Sequence, residues 1–303
     1  MSSRSRDSQL HDLQQQLHQA ASAEVARGQD AYFKGVIKHR GISTPGVDGV
    51  VKAFLAGTDM EPAELRALGL ELLREPLQED KLCGINIWQH CLLRRGMTAQ
   101  WQQELAALEE VYASGHVFAW STCDWICGRL LGPLIKQLLA QQPSEGEACG
   151  RAVMAWCRRD ELWLRRSSVV AFVTLARHPD KKVFPGFRDA LLDTLAATVQ
   201  GQERFAQTGT GWVLRELGKG DPDRLIQFVE SNLQHFSREG LRYALEKQPA
   251  AVRGQLLAQH KGIAGAGLEG QEGIASSDPG TANAGTLQPQ QQVPAAKKRR
   301  QRR

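Results

Sequence analysis

The stretch AWSTCDWICGRLLG, residues 119–132, is mostly small and apolar, yet it carries one carboxylate, Asp124, four residues after Trp120. On an α-helix residues i and i+4 share a face, so the Trp120 indole and the Asp124 carboxyl project together. Such an acid either works, stabilising positive charge that develops beside it, or is neutralised by a nearby arginine such as Arg166. Spacing alone allows both.

Three other segments carry side chains suited to a polyanion. AYFKGVIKHRGISTPGV, residues 31–47, joins Tyr32, Lys34, Lys38, His39, Arg40 and Thr44 to a turn from Gly41 to Pro45. Hydroxyls, cations and backbone amides before a helix are donors that phosphate oxygens accept from, although a solvated helix end has the same composition. In ELWLRRSSVVAFVTLARHP, residues 161–179, Leu162, Val169, Val170 and Val173 form a core stripe with Trp163 at its edge. Arg165 and Arg166 then need water or an anion. In TGTGWVLRELGKGDPD, residues 208–223, Trp212 follows Gly209 and Gly211 and precedes Arg215, a pairing that can stack on a sugar or base or lie in a core.

These residues need a scaffold, and the pattern around them is helical. Leu10, Leu13 and Leu17, then Leu65, Leu68 and Leu72, then Leu225, Val229 and Leu233 recur at helical spacing, and strand patterns are nearly absent. Thr58 or Asp59 with Pro62 reads as one helix start, and Gly220 followed by Asp221 and Pro222 as a stop and a start. Helix pairs are expected to begin near residues 147, 186 and 222, a spacing of roughly 36–39 residues that falls near the range of HEAT and armadillo repeats. The expected fold is an all-α, HEAT-like solenoid over residues 1–261 whose concave face receives a large ligand. A capped array needs no partner copy, so a monomer is expected.

Composition narrows the setting. With 42% hydrophobic residues the chain of 303 can bury a large core, while no apolar run approaches a membrane span and the N-terminus has no secretory h-region. An intracellular protein without membrane association is expected. The six cysteines form no CxxC pair and read as reduced core thiols, with no metal site. Of the net charge of +5, residues 262–303 hold six Lys or Arg against three acids, so the body is nearly neutral and any nucleic-acid surface on it must be local. Residues 262–296 are rich in Gly, Ala, Gln, Ser and Pro and read as a flexible linker. It ends in KKRRQRR, residues 297–303, which reads as a nuclear localisation signal for the import machinery, with a phosphate-binding arm as the alternative.

Together and in this order, YFKGVIKHRGISTP, WSTCD, WLRR and GWVLRE resemble the DNA alkylation repair glycosylases of the AlkD type, helical-repeat enzymes that remove N3- and N7-alkylated purines from duplex DNA. The resemblance spans roughly residues 20–250. It implies that Asp124 is the catalytic carboxylate, that Trp120 and Trp212 are the active-site indoles, and that Tyr32, Ser43, Thr44 and Arg166 contact DNA. Lys38 and Arg215 join them as candidate DNA contacts on their own segments. Two departures stand out: Ser121 lies where the family often has a second acid, and Ser43 where it often has a longer amide side chain. An alkylated purine leaves without protonation, so an anion facing the oxocarbenium-like sugar suffices. The implied activity is monofunctional, leaves an abasic site and calls for no cofactor or metal. A non-catalytic binder of branched or damaged DNA and a protein–protein adaptor are the alternatives.

Overall fold

A computed structural model describes residues 6–269, and among them the chain is helices and turns with one isolated parallel bridge between Lys38 and Leu77. In chain order the helices are α1 (Arg6–Gln19), α2 (Ala23–Tyr32), α3 (Thr44–Gly57), α4 (Pro62–Arg74), α5 (Gln78–Arg94), α6 (Trp101–Ala113), α7 (Trp120–Ile126) and α8 (Gly132–Gln141). They continue as α9 (Pro143–Met154), α10 (Leu162–Val170), α11 (Phe187–Val199), α12 (Arg204–Leu217), α13 (Pro222–Ser231), α14 (Arg238–Leu245) and α15 (Ala250–Glu269). Near 147, 186 and 222, where helix pairs are expected to begin, helices start at Pro143, Phe187 and Pro222. The first begins earlier because Pro143 occupies the first helical position, where its missing N–H costs nothing.

The leucines at helical spacing go inside: Leu13, Leu17, Leu65, Leu68, Leu72, Leu225 and Val229 are all fully buried. Asp221 caps α13 as its spacing implies, its side chain accepting from the Arg224 amide with Pro222 at the first helical position. The start of α4 differs. Glu61, not Thr58 or Asp59, caps it, in a reciprocal box with Glu64. Thr58 instead ends α3 and accepts from the Met60 amide. Trp163, expected at the edge of its stripe, lies in the core 5.2 Å from the Phe205 ring. The helix α15 runs to Glu269, past the boundary expected at residue 261, because extending a formed helix through GIAGAGLE costs far less than nucleating one. The basic cluster at 297–303 lies outside the described residues.

Two sets of contacts build the layers. The helices α5, α7, α10, α12 and α14 pack side by side in sequence, while α6, α9 and α11 pack in a second row. Small residues permit the close approach: a Cβ on Gly211 of α12 would lie 2.4 Å from the Gly240 carbonyl of α14. Two apolar clusters fill the interior, and Met97 and Trp125 pack against both. No helix among the described residues is long and apolar enough to cross a membrane.

Between α7 and α8, residues Cys127–Leu131 form a π-turn that carries the helical path on toward Pro133. Proline cannot donate to the carbonyl four residues earlier, and that carbonyl, on Arg129, instead accepts a 2.7 Å hydrogen bond from the Gln89 side chain of α5. The sequence break is thus turned into a tie to the neighbouring helix α5.

Candidate active site

Trp120 opens α7 and Asp124 follows one turn later, as the spacing requires. Arg166 projects from α10 toward that acid, and the two form a bidentate pair: Nε donates to Oδ1 and Nη2 to Oδ2, each at 2.8 Å. The remaining guanidinium nitrogen, Nη1, donates at 2.7 Å to the Phe205 carbonyl of α12 and lies 3.4 Å from the Thr208 hydroxyl. Gly209 makes room for this arm, since a Cβ there would lie 3.1 Å from Nη1. Burial acts to lower the Arg166 pKa, but the Asp124 charge and its hydrogen bonds outweigh burial and raise it. The guanidinium is therefore a fixed cation. Its side chain is 6% exposed and that of Asp124 15%, so the negative end of the pair is the more open one.

The Trp120 ring meets the N-terminal segment. It stacks on Phe33 with centroids 5.3 Å apart and meets Tyr32 edge-on at 6.4 Å. Phe33 lies 5.0 Å from the His39 ring, whose Nδ1 is 2.8 Å from Asp30. Tyr32 ends α2 and is exposed, as are Val36 and Phe118. Lys34 has φ of 53° and Gly35 has φ of 70°, a left-handed pair that turns the chain sharply after α2.

The other sequence candidates fall in different places. Trp212 sits on α12 one turn after Thr208, half-buried, so it shares the helix face that meets Arg166. Arg215 is 12% exposed and pairs with Glu246 and Glu216, which engages the charge expected to meet DNA. Arg166, also expected to contact DNA, is spent on Asp124 and the Phe205 carbonyl and is nearly inaccessible; its geometry is that of a partner to the acid. Lys38 is open, its side chain 67% exposed with only a 4.0 Å approach to Asp30. Ser43 caps α3 by accepting from the Gly46 amide, and Thr44 is the first helical residue. Ser121 is buried, and its hydroxyl has no hydrogen-bond partner among the described residues.

Sequence reasoning missed Phe33, Asp30 and the first turn of α5. There Gln78, Glu79, Asp80 and Lys81 are 4%, 1%, 1% and 1% exposed, although consecutive polar residues usually face water. The visible clue was four polar residues opening a helix that otherwise reads LCGINIW. Burial raises the Asp80 pKa against the opposing pull of Arg40 and lowers that of Lys81 to about 8.

An all-α layered array that brings together an acid on α7, its arginine on α10 and an aromatic wall at the end of α2 defines a helical-repeat protein with a built acidic centre. The chain belongs to the DNA alkylation repair enzyme family, whose sequence profile matches residues 13–248. A solved structure of a predicted DNA alkylation repair enzyme from Enterococcus faecalis superposes with a TM-score of 0.58 at 17% identity, covering 76% of this chain and 97% of that one. At that identity it establishes the shared fold. No curated protein sequence matches this chain.

Proposed function

We propose that this protein hydrolyses the N-glycosidic bond of N3- or N7-alkylated purines in duplex DNA and leaves an abasic site. The observation that carries the reading is Asp124, held at two oxygens by a buried cation, more open than that cation, and one turn from an indole. Alkylation gives the base a positive charge, so the electron pair of the C1′–N bond departs with it and neutralises it. The sugar left behind is electron-poor at C1′, and a nearby carboxylate stabilises that state more than the ground state. Water then adds its oxygen to C1′ and loses a proton to Asp124 or to solvent. Because the bidentate pair fixes both carboxylate oxygens, little reorganisation accompanies the charge that develops.

Trp120 and Trp212 act as aromatic faces toward the cationic sugar, and Tyr32, Lys38, Ser43 and Thr44 contact the strand. The chain works as a monomer, the KKRRQRR cluster directs it to the nucleus through the import machinery, and no cofactor takes part. The test is release of free methylated bases from methylated duplex DNA by the purified wild-type protein, with no strand cleavage.

One observation favours a second reading. Arg166 satisfies both Asp124 oxygens, which is also how a purely structural acid behaves. On that reading the protein binds damaged or branched DNA without catalysis, and the same assay releases no base while DNA affinity still falls steeply with salt. No DNA affinity even at low salt would favour a protein adaptor.

A further inference from the structure

We propose that the buried quartet Gln78, Glu79, Asp80 and Lys81 is a strut that sets the aromatic wall and the Trp120–Asp124 turn at their working separation. None of the four is 5% exposed, so the quartet acts through the residues it holds and does not touch DNA. The inference rests on the glycosylase reading for its effect on rate, but not for its effect on structure.

Together the four tie α5 to two stretches of the site. The Gln78 amide donates to the Lys38 carbonyl at 2.9 Å, and its side-chain oxygen accepts from the Thr122 hydroxyl of α7 at 2.9 Å. Glu79 accepts three successive backbone amides, those of Arg40, Gly41 and Ile42, at 2.8–3.0 Å. Asp80 holds the Arg40 guanidinium at two oxygens, at 2.9 and 2.8 Å. The Lys81 ammonium donates to the carbonyls of Leu73 and His116 at 2.9 Å and lies 5.4 Å from the centroid of the Phe118 ring. One helical turn thereby grips residues 38–42, which follow Phe33 and lead to Ser43, and residues 116–122, which contain Trp120.

The composition of this turn is unfavourable for stability alone. Buried charges lose hydration that apolar side chains of similar size would not need, and replacing such clusters by apolar residues is often neutral or stabilising. What directional hydrogen bonds add is position. Three amides converging on one carboxylate fix a loop more narrowly than packing does, and small misplacements at a reacting centre cost large rate factors.

The test uses Thr122→Val, which removes only the tie from Gln78 to α7, alongside Glu79→Gln and Lys81→Met. Hydrogen exchange in the DNA-free protein is expected to quicken at the amides of residues 40–42 in Glu79→Gln and at 116–124 in Lys81→Met and Thr122→Val. Single-turnover base release is expected to fall about tenfold or more while the affinity for methylated duplex stays within about twofold. Unchanged exchange in those segments would overturn the strut, and so would a loss confined to affinity. Should the wild-type protein release no base, the glycosylase reading fails, yet the exchange data still decide the strut. Thr122→Val keeps the test open if either charged variant fails to fold.

Discussion

Asp124→Asn is the direct probe of the proposed chemistry, but the structure makes it ambiguous by itself. The substitution takes the counter-charge from a guanidinium whose side chain is 6% exposed, and removing one partner of such a pair costs about 3–5 kcal/mol. At about 2–4 °C per kcal/mol for a domain of this size, Tm should fall by about 6–20 °C. Lost activity could then follow from lost structure. Pairing Asp124→Asn with Arg166→Met removes the stranded cation as well. It leaves the Phe205 carbonyl short of one donor, worth about 1 kcal/mol, so the double variant should recover most of the stability. The pair's energy is read as the coupling term of a double-mutant cycle from urea unfolding. Single-turnover release of methylated bases should stay about a hundred- to thousandfold below wild type in both variants, the usual loss for an electrostatic stabiliser. A folded double variant that excises at the wild-type rate would refute Asp124 as the catalytic group, and an unchanged Tm in Asp124→Asn would refute the pair.

Other expectations follow from the same geometry. Gly211→Ala places a Cβ 2.4 Å from the Gly240 carbonyl and 2.8 Å from the Tyr243 Cβ, so thermal unfolding should show a loss of about 1–3 kcal/mol. Gly49→Ala in α3, whose Cβ meets nothing within 4 Å, is the matched control and should be neutral or slightly stabilising. Burial lowers the Lys81 pKa from 10.5 to about 8, so between those values the unfolded chain binds more protons and this group's contribution to stability rises with pH. Urea midpoints compared across that window should show the rise in wild type and its absence in Lys81→Met. All six cysteines are free, five are buried, and burial pushes Cys91 up to about 11 and Cys149 to about 12. A native-state alkylation series read by mass should therefore modify Cys157 first; rapid labelling of any other cysteine would contradict the packing.

Much of the architecture was readable because it depends on local periodicity. Leucines every three or four residues must bury one stripe of each helix, and Asp221 with Pro222 can hardly do other than start one. The pairing of Trp120 with Asp124 is likewise local, a matter of one helical turn. Arg215 and Arg166 were less legible. Both are arginines near an aromatic residue, and only long-range packing directs one to Glu246 and the other to Asp124. The quartet from Gln78 to Lys81 ran against expectation, since its partners lie on two distant stretches, residues 38–42 and 116–122.

Taken alone, the sequence determined that this chain is helical and that an acid and an indole share a face, because each follows from spacing along one helix. The tertiary structure decided which charges are spent and which remain open. A side chain's electrostatic role depends on the few ångströms around its tip, and those are occupied by residues that the chain brings back from far along its length: Arg166 from α10 to Asp124, and Phe33 from the end of α2 to Trp120.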